Sequence, residues 1–163
     1  MAESNLARLV PGYGYGETRK TLDTDRRVRD ILRIELGKGV MSMQEVVDVA
    51  QRANQRSMVE EARRVKDEIE QFIDDIRTAP AAFHRDVRKD EAERLVEFDT
   101  QVIRQCKEVV VAASLLHEKF LKSEPQDIIG EVPSVRKLVR DARGKYKDRE
   151  AVLKEVQGAE AYV

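Results

Sequence analysis

Apolar residues recur along this chain at steps of three and four, the spacing that lines one face of an α-helix. Nowhere do they alternate with the period of two that a half-buried strand requires. Between Asp23 and Leu36, Val28, Ile31 and Leu32 share a face with Glu35. Thr21 or Asp23 stands where an N-cap is needed, and Gly37-Lys38-Gly39 supplies a stop, so a short helix is predicted here. Ser42 followed by Glu45 reads as a capping box opening a long helix over 43–77. Its stripe runs Met58, Ala62, Val65, Ile69, Phe72 and Ile76, at the period of about 3.5 residues that marks coiled-coil-like packing. Upstream the stripe is weaker, small at Ala50 and Ala53 and interrupted at Asn54 and Ser57. Thr78-Ala79-Pro80 ends it, because the residue before a proline is driven out of the helical region. At about 1.5 Å per residue this helix would be roughly 50 Å long.

A third helix is expected to start near Ala81 to Arg85. Its stripe passes Ala92, Leu95, Asp99, Val102, Cys106 and Val109 and continues to Ala113, Leu116 and Phe120, with Asp99 its one polar member. The stretch Val109 to Leu116 is apolar on nearly every face, which predicts burial on several sides. A short connection makes these two long helices antiparallel neighbours, a hairpin over 42–122. Ser123-Glu124-Pro125 closes it, and Gly130 and Pro133 mark an irregular link. Ser134 then caps a last helix striped by Val135, Leu138, Val139, Ala142, Tyr146, Leu153 and Val156. Arg149 interrupts that stripe, Gly144 weakens its middle and Gly158 ends it. The fold class is therefore all-α: a long antiparallel helical hairpin within a three- or four-helix bundle. One domain is expected over 21–158, after a flexible Gly/Tyr-containing arm over 1–20 and before a short tail over 159–163.

Composition narrows the class further. Of 163 residues, 37% are charged and only 5% aromatic, with no Trp, so the core must be aliphatic. Thirty basic residues against 31 acidic ones leave a net charge of −1, unlike the strongly charged, weakly hydrophobic chains that stay disordered. One cysteine excludes a disulfide framework within the chain and a Cys-rich zinc site. No apolar run approaches the length that spans a membrane, and Met1 to Val10 does not read as a signal peptide, so a cytoplasmic location is expected.

The candidate chemistry is sparse. Gly14 to Thr21 resembles a phosphate loop only superficially, since Arg19 occupies the second glycine's place and would block the close approach of a phosphate. A di-iron bundle needs Glu three residues before each histidine, but Ala81 precedes His84 and Ser114 precedes His117. Cys106 falls within an apolar stripe, where a thiol is inert. No catalytic residue, cofactor or metal is assigned. Asp99 is the buried polar position, and a buried carboxylate costs several kcal/mol unless paired. The expected explanation is an interior partner such as an Arg from another helix, or an exposed stretch where the N-terminal arm crosses.

Charge is segregated. Arg19, Lys20, Arg26, Arg27, Arg29 and Arg33 make the first helix basic. Arg136, Lys137, Arg140, Arg143, Lys145 and Lys147 do the same for the last. The helix over 43–77 is acidic at Glu60, Glu61, Asp67, Glu68, Glu70, Asp74 and Asp75. The basic helices either contact phosphates of nucleic acid or an anionic membrane, or pack against the acidic helix, and the balanced whole-chain charge favours packing. The candidate interaction residues are Tyr13, Tyr15, Arg26, Arg29, Arg136, Lys137, Arg140 and Arg143. The expected function is a non-enzymatic interaction or scaffold role, with a protein partner or a second copy of the chain.

Gly14-Tyr15, Glu17, Arg19-Lys20, Asp25 and Arg29, together with Glu97-Phe98-Asp99, resemble an uncharacterised prokaryotic family of helical-hairpin proteins with an N-terminal Gly-Tyr/Asp-Arg motif. That resemblance implies a cytoplasmic helical bundle and transfers no catalytic residue.

Overall fold

The computed structural model describes residues 2–158, so the tail expected over 159–163 lies outside the described residues. Those residues form helices α1 (Ala2–Leu9), α2 (Thr18–Arg52), α3 (Arg56–Arg77), α4 (Lys89–Lys122), a single-turn α5 (Pro125–Ile128) and α6 (Val132–Gln157). One 3₁₀ turn (Ile129–Glu131) joins α5 to α6. The chain is an all-α bundle, as its periodicity requires, but its helices begin and end elsewhere.

α2 runs straight through Gly37 and Gly39. Each glycine costs a helix interior about 1 kcal/mol, and the buried stripe Leu32, Leu36, Met43 and Val46 on either side outweighs that cost. Ser42 and Glu45 consequently sit inside α2 and cap nothing. The true break falls at Asn54, whose φ of 57° is left-handed. The Gln55 N–H donates to the Ala50 carbonyl at 2.9 Å and the Asn54 N–H to Gln51 at 3.1 Å, a helix closure that asparagine tolerates. The chain then reverses into α3. The expected single helix over 43–77 is thus divided between α2 and α3, and the expected hairpin over 42–122 gives way to two others, α2–α3 and α4–α6.

These two hairpins pack side by side. Contacts join α2 to α3, α2 to α4, α4 to α6 and α3 to α6, which leaves α3 and α4 across the diagonal of a four-helix square. The diagonal crossing is made by residues 78–88, where the sequence suggested the start of the next helix. Phe83 and Val87 from this crossing are buried with Leu95, Val152, Leu153 and Val156, closing that end of the bundle. Glu91 accepts the Arg88 N–H at 2.9 Å, which starts α4 at Lys89 instead. Pro133 enters α6 in its first turn, where its missing N–H is harmless.

The N-terminal segment is not a free arm. α1 lies on α4, with Leu6, Val10 and Tyr13 buried in the main core. The α4 stripe is buried from Leu95 to Phe120 as its spacing requires. Burial on several sides fails nearby, however, because α2 and α6 cover two faces of α4 and the short α1 only part of another. Val111 and Leu115 on its outer face remain 57% and 48% exposed.

Candidate functional site

The principal polar constellation is buried at the end of the bundle where α2 and α4 begin. Asp99 of α4 and Arg149 of α6 form its centre: the Arg149 Nε donates to Asp99 Oδ1 at 2.5 Å, with neither side chain exposed. The other oxygen, Oδ2, accepts the hydroxyls of Tyr13 at 2.8 Å and Tyr15 at 2.6 Å. The interior Arg expected for Asp99 is therefore Arg149. The N-terminal segment does cross here, but the stretch it crosses is fully buried and not exposed as the alternative required, because the tyrosine rings seal it. Arg149 also donates to Asp25 Oδ1 at 2.8 Å, to the Tyr15 hydroxyl at 3.0 Å and to Glu150 at 3.1 Å.

A second arginine extends the network. Arg29 Nε donates to Asp25 Oδ2 at 2.8 Å, and its Nη2 reaches both oxygens of Glu150 at 2.8 Å. Its Nη1 donates to the Tyr146 hydroxyl and to the carbonyls of Ile76 and Thr78 at 3.0 Å, so it satisfies the otherwise orphaned end of α3. Arg29 is only 3% exposed and is withdrawn from the interaction surface assigned to it, because two carboxylates and two carbonyls draw it inward. Two guanidinium groups thus face three carboxylates and three tyrosine hydroxyls drawn from the N-terminal segment, α2, α4 and α6.

Local geometry delivers the tyrosines. Thr24 Oγ1 donates to the Gly14 carbonyl at 2.7 Å and accepts the Gly14 N–H at 3.3 Å. The Gly16 carbonyl accepts the Val87 N–H at 2.8 Å, tying the segment to the diagonal crossing. Gly14 adopts φ 151°, a conformation side chains rarely take, and this swings Tyr13 and Tyr15 to the same carboxylate. Their rings meet edge to face with centroids 5.7 Å apart.

The electrostatics favour a locked state. Burial, reinforced by Asp99, pushes the Tyr13 hydroxyl far above the ordinary tyrosine value. Tyr15 is raised in the same way, against the opposing pull of Arg149. Burial works against the Arg149 cation, but Asp99, Tyr15, Asp25 and Glu150 outweigh it, and the net direction is upward. Hydroxyls therefore donate and guanidinium groups stay charged throughout the ordinary pH range. Glu150, 16% exposed, reaches a surface groove of about 410 Å³ that is also lined by Asp75, Thr78, Tyr146, Lys147 and Lys154.

The remaining sequence candidates are dispersed. Arg136 and Arg140 of α6 both bond Glu68 of α3, at 2.7 and 3.1 Å, and Arg143 bonds Asp75 at 2.6 Å. The basic last helix thus packs on the acidic one. Lys137 is exposed and pairs with Asp141 on its own helix at 2.7 Å. Arg26 is exposed and makes no ion pair among the described residues. His117 meets Glu45 at 3.0 Å, whereas His84 lies beside Gly158 near the other end of the bundle. Among the described residues no group of three or more His, Cys, Asp or Glu is arranged to hold a metal. Cys106 is buried, and burial raises its thiol well above the usual value.

Arg149, Tyr146, Asp25 and Glu150 escaped the candidate set. Arg149 carried a signal, a charge interrupting an apolar stripe much as Asp99 does, and the two interruptions answer each other. Tyr15, Asp25, Arg29 and Asp99 all belong to the motif residues of the N-terminal and third-helix segments, and they meet in this one network. The chain matches no family model, no curated protein and no solved structure.

Proposed function

We propose that this chain is a non-enzymatic helical interaction module, acting through its outer helix faces by self-association or by docking a protein partner. One contrast carries the reading. The groups capable of acid–base chemistry around Asp99 are turned inward and satisfy one another, with only Glu150 and Tyr146 of the cluster reaching a surface groove, whereas large apolar side chains face outward. Asp99 is enclosed by Arg149, Tyr13 and Tyr15. Outside, Leu9, Ile34, Met41, Val111, Leu115 and Leu121 are each more than two-fifths exposed. No helix among the described residues is long and apolar enough to cross a membrane. A lone buried thiol suits a reducing compartment, and the cytoplasm is the location proposed. Multi-angle light scattering of the full chain tests the self-associating form. A mass that rises above the monomer from micromolar to submillimolar concentration supports it, and a constant monomer mass contradicts it.

A second reading has narrower support. Arg19, Lys20 and Arg26 are exposed on the first turns of α2 and make no ion pair among the described residues, so phosphates of nucleic acid or an anionic membrane could bind there. Arg136, Arg140 and Arg143 contribute less to it, being engaged by Glu68 and Asp75. Salt-sensitive retention on duplex DNA or anionic vesicles, lost when Arg19, Lys20 and Arg26 become Glu, supports this reading. Absence of retention at low salt contradicts it.

A further inference from the structure

The outward face of α2 carries an unexplained combination. Ile34 and Met41 are 64% and 67% exposed, the most exposed of the large apolar side chains among the described residues, and they stand two helical turns apart on one face. Between them lies Gly37, where an added Cβ would meet nothing within 4 Å. A glycine in a helix interior costs about 1 kcal/mol relative to alanine, and packing within the monomer gives no return for it. Gly144 in α6 is equally unobstructed, but its neighbours are Arg140, Asp141, Lys147 and Asp148. Only Gly37 pairs an open helix surface with flanking apolar side chains, the arrangement that lets a second helix approach closely.

The charges on either side say what approaches. Towards the start of the same face stand Asp23 and Arg27, and towards its end Asp48 and Arg52. Among the described residues none of the four takes part in an ion pair. We propose that a second copy of this chain docks here, its α2 antiparallel to the first, with the two-fold axis between Ile34 and Met41. Positions equidistant from that axis then face each other. Ile34 meets Met41 of the second copy, Arg27 meets Asp48, and Asp23 meets Arg52. A parallel pairing would instead set each charge against itself. Asp30 and Glu45 would face each other with like charge in the antiparallel pair, but Arg33 pairs with Asp30 at 3.5 Å, and the Glu45 carboxylate lies 3.0 Å from the His117 Nδ1. At the axis Gly37 faces Lys38 of the second copy, a lysine already paired with Glu35 at 2.9 Å, and the glycine leaves room for its stem. Self-complementary charge around such a glycine-notched centre is what an isologous contact requires.

This inference rests on the self-associating form of the proposed function and adds its surface and register. The test is sedimentation equilibrium of the full chain. Wild type is expected to be a reversible dimer. Ile34→Glu, Met41→Lys and Gly37→Gln are each expected to weaken it by at least about tenfold at unchanged helical circular dichroism, while Gly144→Gln leaves it intact. Arg27→Asp alone weakens the dimer. Adding Asp48→Arg restores it, and only a contact between chains can do so, because the two positions lie about 30 Å apart along one helix. A wild-type dimer indifferent to the α2 variants, or a charge swap without rescue, overturns this surface and leaves self-association standing. A wild type that stays monomeric to submillimolar concentration overturns both.

Discussion

Arg149 and Asp99 meet at 2.5 Å between α6 and α4, and neither side chain is exposed to solvent. Around this pair the bundle closes its N-terminal segment, its diagonal crossing and the end of α3. A buried pair of this kind gains little over well-packed apolar residues, but breaking it strands a charge. Asp99→Asn and Arg149→Met are each expected to lower unfolding free energy by about 3–5 kcal/mol. The double variant should lose less than the sum of the two, and urea titration of all four proteins reads the coupling.

Tyr15→Phe removes one donor to Asp99 and one acceptor for Arg149, whereas Tyr13→Phe removes only a donor. Each lost hydrogen bond to a charged group is expected to cost about 1.5–3 kcal/mol, with Tyr15→Phe the costlier change. Limited proteolysis should show earlier cleavage between Val10 and Thr18 in both variants.

Glu91 couples stability to pH. Hydrogen bonds from Arg85 at 2.6 and 2.8 Å, against the cost of burial and with help from the Arg88 N–H, hold its carboxyl down to about 2. The folded value lies below the unfolded one, so its contribution is complete above the ordinary glutamate value of about 4.3 and disappears as pH falls through about 2. Glu91→Gln is expected to flatten the acid limb of a stability-versus-pH curve across that window. A variant curve parallel to wild type would contradict this assignment.

Gly37→Ala should stabilise the isolated monomer by about 0.5–1 kcal/mol, since the new methyl group meets nothing and the helix loses a flexible residue. Thermal unfolding at dilute concentration reads this gain.

Cys106 is expected to react with a thiol reagent no faster than the bundle opens, because burial both shields and neutralises it. Labelling rates that follow global unfolding in urea would agree, and rapid labelling of native protein would contradict the burial.

The helical period fixed which side chains are buried far better than where helices stop. Nearly every stripe position from Met58 to Ile76 and from Leu95 to Phe120 is interior, because burial follows local spacing. The stops depend on a competition that local reading misjudged. Gly37 and Gly39 resemble terminators, yet the apolar stripe continues on both sides and wins, while Asn54 supplies the left-handed residue at which the chain reverses. That shift of one break also changes which helices are neighbours, because it frees residues 78–88 to cross the bundle. At the site, Asp99 announced itself as a charge in an apolar stripe. Arg29 did not, because on a strongly basic helix an inward arginine looks like its exposed neighbours. Only the three-dimensional meeting of α2, α3 and α6 distinguishes it.

Asp99 accepts the hydroxyls of both N-terminal tyrosines and so locks the N-terminal segment onto the bundle. Native-state hydrogen exchange at the amides of Gly14, Gly16 and Val87 measures this lock most directly. All three bonds join the N-terminal segment to α2 or to the diagonal crossing. Wild type is expected to protect them nearly as well as the bundle core, and Asp99→Asn to release them selectively while the α2–α3 amides stay protected. Exchange in wild type at the rate of an unstructured chain would contradict the lock.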